Sequence, residues 1–353
     1  MHAQDEYRPN NNPLQPLPPD RVLEGRYITS SGAGSRLLTL PVEILATILK
    51  YIAEDKEALA SLALVNSDCR QLSRSYQFST VCLDYHPNAA DLLIRLAEEG
   101  HERDTNHGAT LAPSIGACIR RIRVKTNTYW VEKLSDLRLC RRDFKALPAE
   151  EKNKRLADAN QLYFDVYIPH IGLVLRKSLP HLDYLVWEDP VLLERPFFNS
   201  LVHSSIKHLR LSKVRVMEDF EVESPSSGAW PLRSLDIDMG LEQSGLGKCQ
   251  TFDHDVFGQP FQGQDLPDAR PPSQGGGVEF FRLSTSILRL CAPTLEALKW
   301  RLSHDTLEPI PFNPGLVDFH RLRVLELGSN MKFEKNLAKT LIRSRLSELT
   351  INT

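Results

Sequence analysis

The apolar residues of the chain fall into two rhythms. Ile44, Leu45, Ile48, Leu49 and Ile52 recur at helical spacing and make one apolar face. Pro41 suits the first turn of that helix, where its missing N–H is no loss. Glu43 sets a negative charge against the helix dipole. Asp55 is a candidate cap for a second helix carrying Leu59, Leu62, Leu64 and Val65. Asn66 or Ser67 can cap a third, carrying Cys69, Leu72, Tyr76 and Phe78. So small a helical segment is not robust alone, and it is expected to lean on its own chain or on a partner.

Further along, the string apolar-x-x-apolar-x-apolar recurs, and seven occurrences read as strands. They are found at Ile119/Ile122/Val124, Leu182/Leu185/Trp187, Ile206/Leu209/Leu211, Leu232/Leu235/Ile237, Leu295/Leu298/Trp300, Leu322/Leu325/Leu327 and Leu346/Leu349/Ile351. The first positions are 63, 24, 26, 63, 27 and 24 residues apart. Four of the six steps lie in the range of leucine-rich repeats, and the two long ones read as repeats carrying insertions. Helical patterns follow several of the strings, at Leu192–Val202, Phe280–Leu290 and Leu337–Arg343. Within the first long step, a charged helix at Pro148–Leu162 precedes an apolar one ending near Lys177. Strand then helix at this spacing predicts an irregular leucine-rich-repeat-like solenoid, with parallel strands on a concave face and helices on a convex one. The fold class is thus α + α/β, a three-helix segment followed by a solenoid. Asn330 alone supplies the customary Asn after the third apolar position. The last string runs to Thr353 without a polar capping segment. It is therefore expected to be an exposed edge, to be covered by a partner, or to mark a truncated sequence.

Composition adjusts the boundaries. Residues 1–36 and 241–277 are poor in apolar residues and rich in Pro, Gly, Asn, Gln and Ser, so they read as a disordered leader and a disordered insertion. That leaves a helical domain at 37–85 and a repeat domain at 86–353. The net charge of −2 argues against chain-wide attraction to nucleic acid or to anionic membranes. Only the basic run at 120–125 offers a local exception. No apolar run is long enough to span a bilayer, and the polar, acidic start has no secretory signal. The six cysteines form no CxxC pair, and four of them (Cys69, Cys82, Cys118 and Cys291) sit in apolar-periodic segments as small hydrophobes. An intracellular protein, cytoplasmic or nuclear and not secreted, is expected.

The stretch Leu38-Thr39-Leu40-Pro41-Val42-Glu43-Ile44-Leu45 is followed by Ala58-Leu59-Ala60-Ser61-Leu62-Ala63-Leu64-Val65-Asn66 and by Cys69-Arg70-Gln71-Leu72. Together they resemble the F-box family, and most of all the F-box proteins with leucine-rich repeats that abound in filamentous fungi. Cys69 stands where many members carry a Trp. The resemblance implies a non-catalytic substrate adaptor of a Skp–cullin–F-box ubiquitin ligase. The F-box would dock on the Skp-type adaptor and through it on a cullin. The repeats would bind a protein substrate for ubiquitination and degradation. Carried over, the adaptor-facing residues are Leu40 and Pro41, with Ile44, Leu45, Ile48, Leu62, Leu64 and Val65 as the apolar surface. The alternative is a leucine-rich interaction scaffold outside any ligase, whose F-box-like helices serve folding.

In such strands the apolar positions point inward and the alternate positions line the concave face. The expected lining is Arg121, Arg123 and Lys125, then Tyr184, Val186 and Glu188, then His208, Arg210 and Ser212. It continues with Ser234, Asp236 and Asp238, then Ala297, Lys299 and Arg301, then Val324 and Glu326, then Glu348 and Thr350. It runs from basic at the start to acidic in the middle and at the end, a pattern suited to a protein partner of matching charge. Asp236 and Asp238 read as two acids on a wet strand face, with Ile237 inside, rather than as a metal pair. His101, Glu102, Asp104 and His107 lie in a polar connection without a ligand scaffold. No nucleophile–base pair, nucleotide loop or zinc motif is found. Neither catalytic nor metal-binding residues are assigned, and no cofactor, nucleic-acid or membrane partner is expected.

Overall fold

Seven short segments with alternating apolar residues gain most by lying side by side, because each then buries its apolar row against the same row of its neighbours. The computed structural model shows this arrangement. It describes residues 37, 40–105, 114–134, 147–189, 191, 193–216, 219–225, 228–241, 281–302, 310–312, 317–328, 331–333, 341 and 344–351. The leader expected at 1–36, residues 242–277 of the expected insertion, and all but Leu341 of the helix expected at Leu337–Arg343 lie outside them, as do His107, Cys140, Cys249 and Asn330. The chain divides into two compact units. One is Met1–Thr80 with Asn106–Arg120, and the other is Val81–Thr105 with Arg121–Thr353.

In the first unit, helices α1 (Val42–Ile52), α2 (Lys56–Ala63) and α3 (Ser67–Gln77) follow one another closely. Their starts are defined by chemistry. Pro41 precedes α1. The Asp55 carboxylate accepts from the Glu57 and Ala58 amides, each at 3.0 Å. The Asn66 side chain accepts from the Cys69 amide at 2.8 Å. These acceptors satisfy amides that no helix can satisfy internally. A short 3-10 turn at Gly116–Cys118 completes the unit. Leu49, Cys69, Leu72 and Cys118 form its buried cluster, with Ile52, Leu62, Tyr76 and Phe78 packed at the rim. The Gln71 side-chain amide donates to the Ser114 carbonyl at 2.8 Å. The helices thus lean on a later segment of their own chain.

The second unit is built on an eight-stranded parallel sheet, with strand order β1-β2-β3-β4-β5-β6-β8-β10. The strands are β1 (Thr80–Leu83), β2 (Arg121–Val124), β3 (Tyr184–Trp187), β4 (His208–Val216), β5 (Ser234–Leu241), β6 (Ala297–Leu302), β8 (Val324–Leu327) and β10 (Glu348–Ile351). Between them come helices α4 (Pro87–Thr105), α5 (Thr128–Leu134), α6 (Ala149–Gln161), α7 (Ile168–Lys177), α8 (Arg195–Val202) and α9 (Phe281–Cys291). A separate pair of short strands, β7 (Ile310–Phe312) and β9 (Met331–Phe333), is also parallel. The arrangement is α/β and of solenoid type. Thr80–Leu83, which the sequence reading left in the helical domain, joins the sheet, and the first residue of the expected insertion, Leu241, ends β5.

The register is uniform. Ile122, Leu185, Leu209, Leu235, Leu298, Leu325 and Leu349 stand side by side, as do Val124, Trp187, Leu211, Ile237, Trp300, Leu327 and Ile351. In β2 to β8 both rows are buried. In β10, at the end of the sheet, all four residues are exposed, Leu349 at 53%. Helices cover the apolar rows: the Phe197 ring of α8 meets Trp187 edge-on at 4.8 Å. Helix α4 packs on α7, where a Cβ at Gly100 would run into Ser178 Oγ.

Strands β4, β5, β6, β8 and β10 also begin on the same backbone device. The carbonyl of Asp183 accepts from the amides of Lys207 and His208, and that of Lys207 from Arg233 and Ser234. The carbonyls of Arg233, Glu296 and Arg323 do the same one strand further on. Hydroxyls one residue ahead of the first apolar position reinforce it. Ser205 donates to the Leu182 carbonyl at 3.1 Å, and Thr294 to the Leu232 carbonyl at 2.8 Å. At the far ends of β2 and β3, the buried Asp189 carboxylate accepts from the Thr126 amide (2.6 Å), the Thr126 hydroxyl and the Tyr163 phenol (2.7 Å). Tyr163 and Tyr167 reach inward from a π-helical turn at Leu162–Tyr167. Burial drives the Tyr163 phenol well above its ordinary range, in line with its part as the donor.

Trp187 fills the centre of this packing, so Trp187→Ala is expected to remove about 3–5 kcal/mol of stability. Urea unfolding monitored by circular dichroism measures it. A loss within the range of a surface substitution would contradict the burial described.

Candidate docking and recognition surfaces

The first unit sorts the apolar residues of its helices into two groups. Leu45, Leu49, Leu59 and Leu72 are buried. Ile44 is 48% exposed, Leu64 81% and Val65 58%, and Leu40 and Pro41 are exposed beside them in sequence. Ile48 and Leu62 are half-buried. Leu45, expected on the adaptor-facing apolar surface, is instead 1% exposed and belongs to the core. The pairs Ile44/Leu45 and Ile48/Leu49 make too wide a stripe for sequence to say which edge faces inward. Tyr51, at 86% exposure, is a further exposed apolar residue that the sequence reading did not single out. Cys69 is fully buried, and burial, with Asp68 close by, raises its thiol above the ordinary value.

In the second unit the alternate positions come together as expected from their period of two. One row across the sheet reads Arg121, Tyr184, His208, Ser234, Ala297, Val324 and Glu348. The next reads Arg123, Val186, Arg210, Asp236, Lys299, Glu326 and Thr350. A third holds Asp238 beside Arg301, and Lys125, Glu188 and Ser212 follow the second-row positions of β2, β3 and β4 by two residues.

Pairing gives the two ends of this face different characters. Toward β5, β6 and β8, acids and bases neutralise one another. Asp236 lies 3.1 Å from Arg301 and 3.6 Å from Arg210, and Lys299 lies 2.6 Å from Glu326. Asp236 itself is enclosed, which corrects its assignment to the wet, ligand-binding surface. Burial pushes its carboxyl up, against the pull of Arg301, Arg210 and Lys299. Toward β2, Arg123 lies 2.7 Å and Lys125 3.8 Å from the single carboxylate of Glu188. The Arg123 guanidinium is held above its ordinary value by its hydrogen bond to Glu188. Arg121 lies 4.8 Å over the Tyr184 ring, which stacks on His208 at 4.2 Å and 11°. Cys82 of β1, read from sequence as a small interior hydrophobe, is exposed.

Comparison of the chain with protein-family models, with curated proteins and with solved structures gives no match. Among the described residues, no helix is long and apolar enough to cross a membrane.

His208 supplies a test of the stacked row. Burial lowers its imidazole below the ordinary value of 6.5, and Arg233 and Lys207 push the same way against Asp183 and Glu296. As pH falls through 6.5, the unfolded chain therefore takes up this proton before the folded one does. The neutral ring's contribution is complete above that pH and is lost on acidification. His208→Gln is expected to flatten the fall in stability between about pH 7 and about pH 5. Urea midpoints of the two proteins across that range measure it, and parallel curves would refute it.

Proposed function

We propose that the chain is a non-catalytic substrate receptor of the F-box kind. Its three short helices would dock on a Skp-type adaptor of a cullin-based ubiquitin ligase, and the outward face of its sheet, read as the concave face of a leucine-rich-repeat-like array, would hold a protein substrate. The observation that carries this reading is the sorting of apolar side chains in the first unit. Leu45, Leu49, Leu59 and Leu72 satisfy the core, while Leu40, Pro41, Ile44, Leu64 and Val65 are left at the surface. A folding role alone gives no reason to expose Leu64 at 81% directly beside Val65 at 58%. Each such side chain is worth about 1.5–3 kcal/mol when a partner buries it. The regular outward rows of the sheet supply a second surface, as an adaptor protein requires.

The test is co-expression of the full chain with a Skp-type adaptor, followed by co-purification and size-exclusion chromatography. The wild-type chain is expected to elute with the adaptor. Ile44→Asp combined with Leu64→Asp is expected to abolish the complex without lowering the melting temperature, because both side chains are exposed. Leu45→Asp is expected to unfold the first unit instead. A wild-type chain that never binds the adaptor, or a double variant that binds it unchanged, overturns the reading and leaves an interaction scaffold outside any ligase.

A further inference from the structure

The outward side chains of β2 repeat a cation at every second residue: Arg121, Arg123 and then Lys125 directly after the strand. Alternate residues of a strand point to one face about 6.6 Å apart. An extended peptide lying along β2 presents its own alternate side chains at the same interval. One carboxylate, Glu188, faces Arg123 and Lys125 together. Asp84, beside the outward Cys82 at the sheet edge, is a second carboxylate at this end, and Asp189 is buried behind it; Arg121, Arg123 and Lys125 thus outnumber the two carboxylates that are not buried. On β5, β6 and β8, Glu326 is matched by Lys299 and Asp236 by two arginines.

Arg121 is also pre-ordered. Its guanidinium lies over one partner ring, and that ring is braced in turn by the His208 imidazole. Stacking uses the flat face of a guanidinium, while its N–H donors lie in the plane and fork onto a carboxylate. Holding the side chain in place beforehand lowers the entropy lost on binding.

We propose that the outward face of β2 and β3 binds an extended acidic peptide segment in which Asp or Glu alternates with uncharged residues. This deepens the receptor reading above and rests on it for the peptide's role as part of a substrate. A single-stranded nucleic acid fits less well. Binding of that kind needs open aromatic faces for bases to stack on, and here Arg121 and His208 both occupy Tyr184.

The experiment is fluorescence anisotropy on the full chain with a labelled peptide of repeated Glu-Ser units. Its Gln-Ser counterpart and a labelled oligouridine of the same length serve as comparisons. The Glu-Ser peptide is expected to bind, and to weaken severalfold as salt rises from about 50 to about 200 mM. Arg121→Ala and Lys125→Ala should each weaken it about threefold, and the pair about tenfold. Arg121→Lys, which keeps the charge but loses the planar fork, should fall between wild type and Arg121→Ala. The matched pair Lys299→Ala with Glu326→Ala should leave binding unchanged. Circular dichroism establishes that each variant is folded. Equal binding of the Gln-Ser peptide, unchanged binding by the folded Arg121/Lys125 double variant, or tighter binding of oligouridine overturns the proposal. Failure of the two readings is distinguishable: a chain that holds the adaptor but not the Glu-Ser peptide loses this inference alone. One that binds the peptide but not the adaptor keeps the peptide site and loses the ligase role.

Discussion

A strand inside a parallel sheet satisfies its backbone only if a neighbour stands on each side in register, and a slip of one residue turns its apolar row outward. The second unit rests on this constraint. Its pairing is locked by more than the ladder itself. At each step from β3 to β10, one carbonyl just ahead of a strand takes the first two amides of the next strand's entry. The strand can then neither slide nor lift without leaving two donors unmet. Ser205 and Thr294 repeat the lock with side-chain hydroxyls. Once the register is held, the interior rows follow, and so does the alignment of the outward rows that gives the polar face its charge pattern.

Much of this order was legible because it is periodic. The seven apolar strings set seven strands, and all seven fall into a single register. Helices α6, α7, α8 and α9 lie where helical spacing placed them. What period could not show was what depends on distant partners. Thr80–Leu83 carries the same string at Phe78/Val81/Leu83 but lies 41 residues ahead of Ile119, outside the repeat spacing, and it becomes a strand through pairing at an edge. Helix α4 lies between the two patterns, and it takes in His101, Glu102 and Asp104, expected in a polar connection. The extensions of β4 and β5 pass a bulge after Leu211, where Lys213 takes a left-handed backbone (φ 59°) that no rule of alternation anticipates.

The candidate surfaces divide along the same line. Period two placed the outward residues correctly but gave no depth. Asp236 sits in the expected row yet is shut in by Arg210 and Arg301, which arrive from strands on either side. In the first unit, helical period gave the face of α1 but not its centre. Residues 114–118, far along the chain, pack against α3. Leu45 and Leu49 lie inside, and Ile44 is left at the surface. A fully buried Cys69 in one cluster with Cys118 belongs to the same arrangement.

Charge pairing on the polar face has a functional consequence of its own. Opposite charges within a few ångströms cancel beyond about 8–10 Å in physiological salt, so the β5–β8 end projects little field despite its many ionised groups. Its ion pairs join adjacent strands and serve chiefly to hold side chains upright on an open sheet. The β2–β3 end differs, because one carboxylate is shared by two cations and a third is braced by aromatic stacking. On the proposal of an acidic peptide ligand, charge would draw it to this end of a face that composition alone would call mixed. The matched end can then contribute contacts without having to give up its own ion pairs.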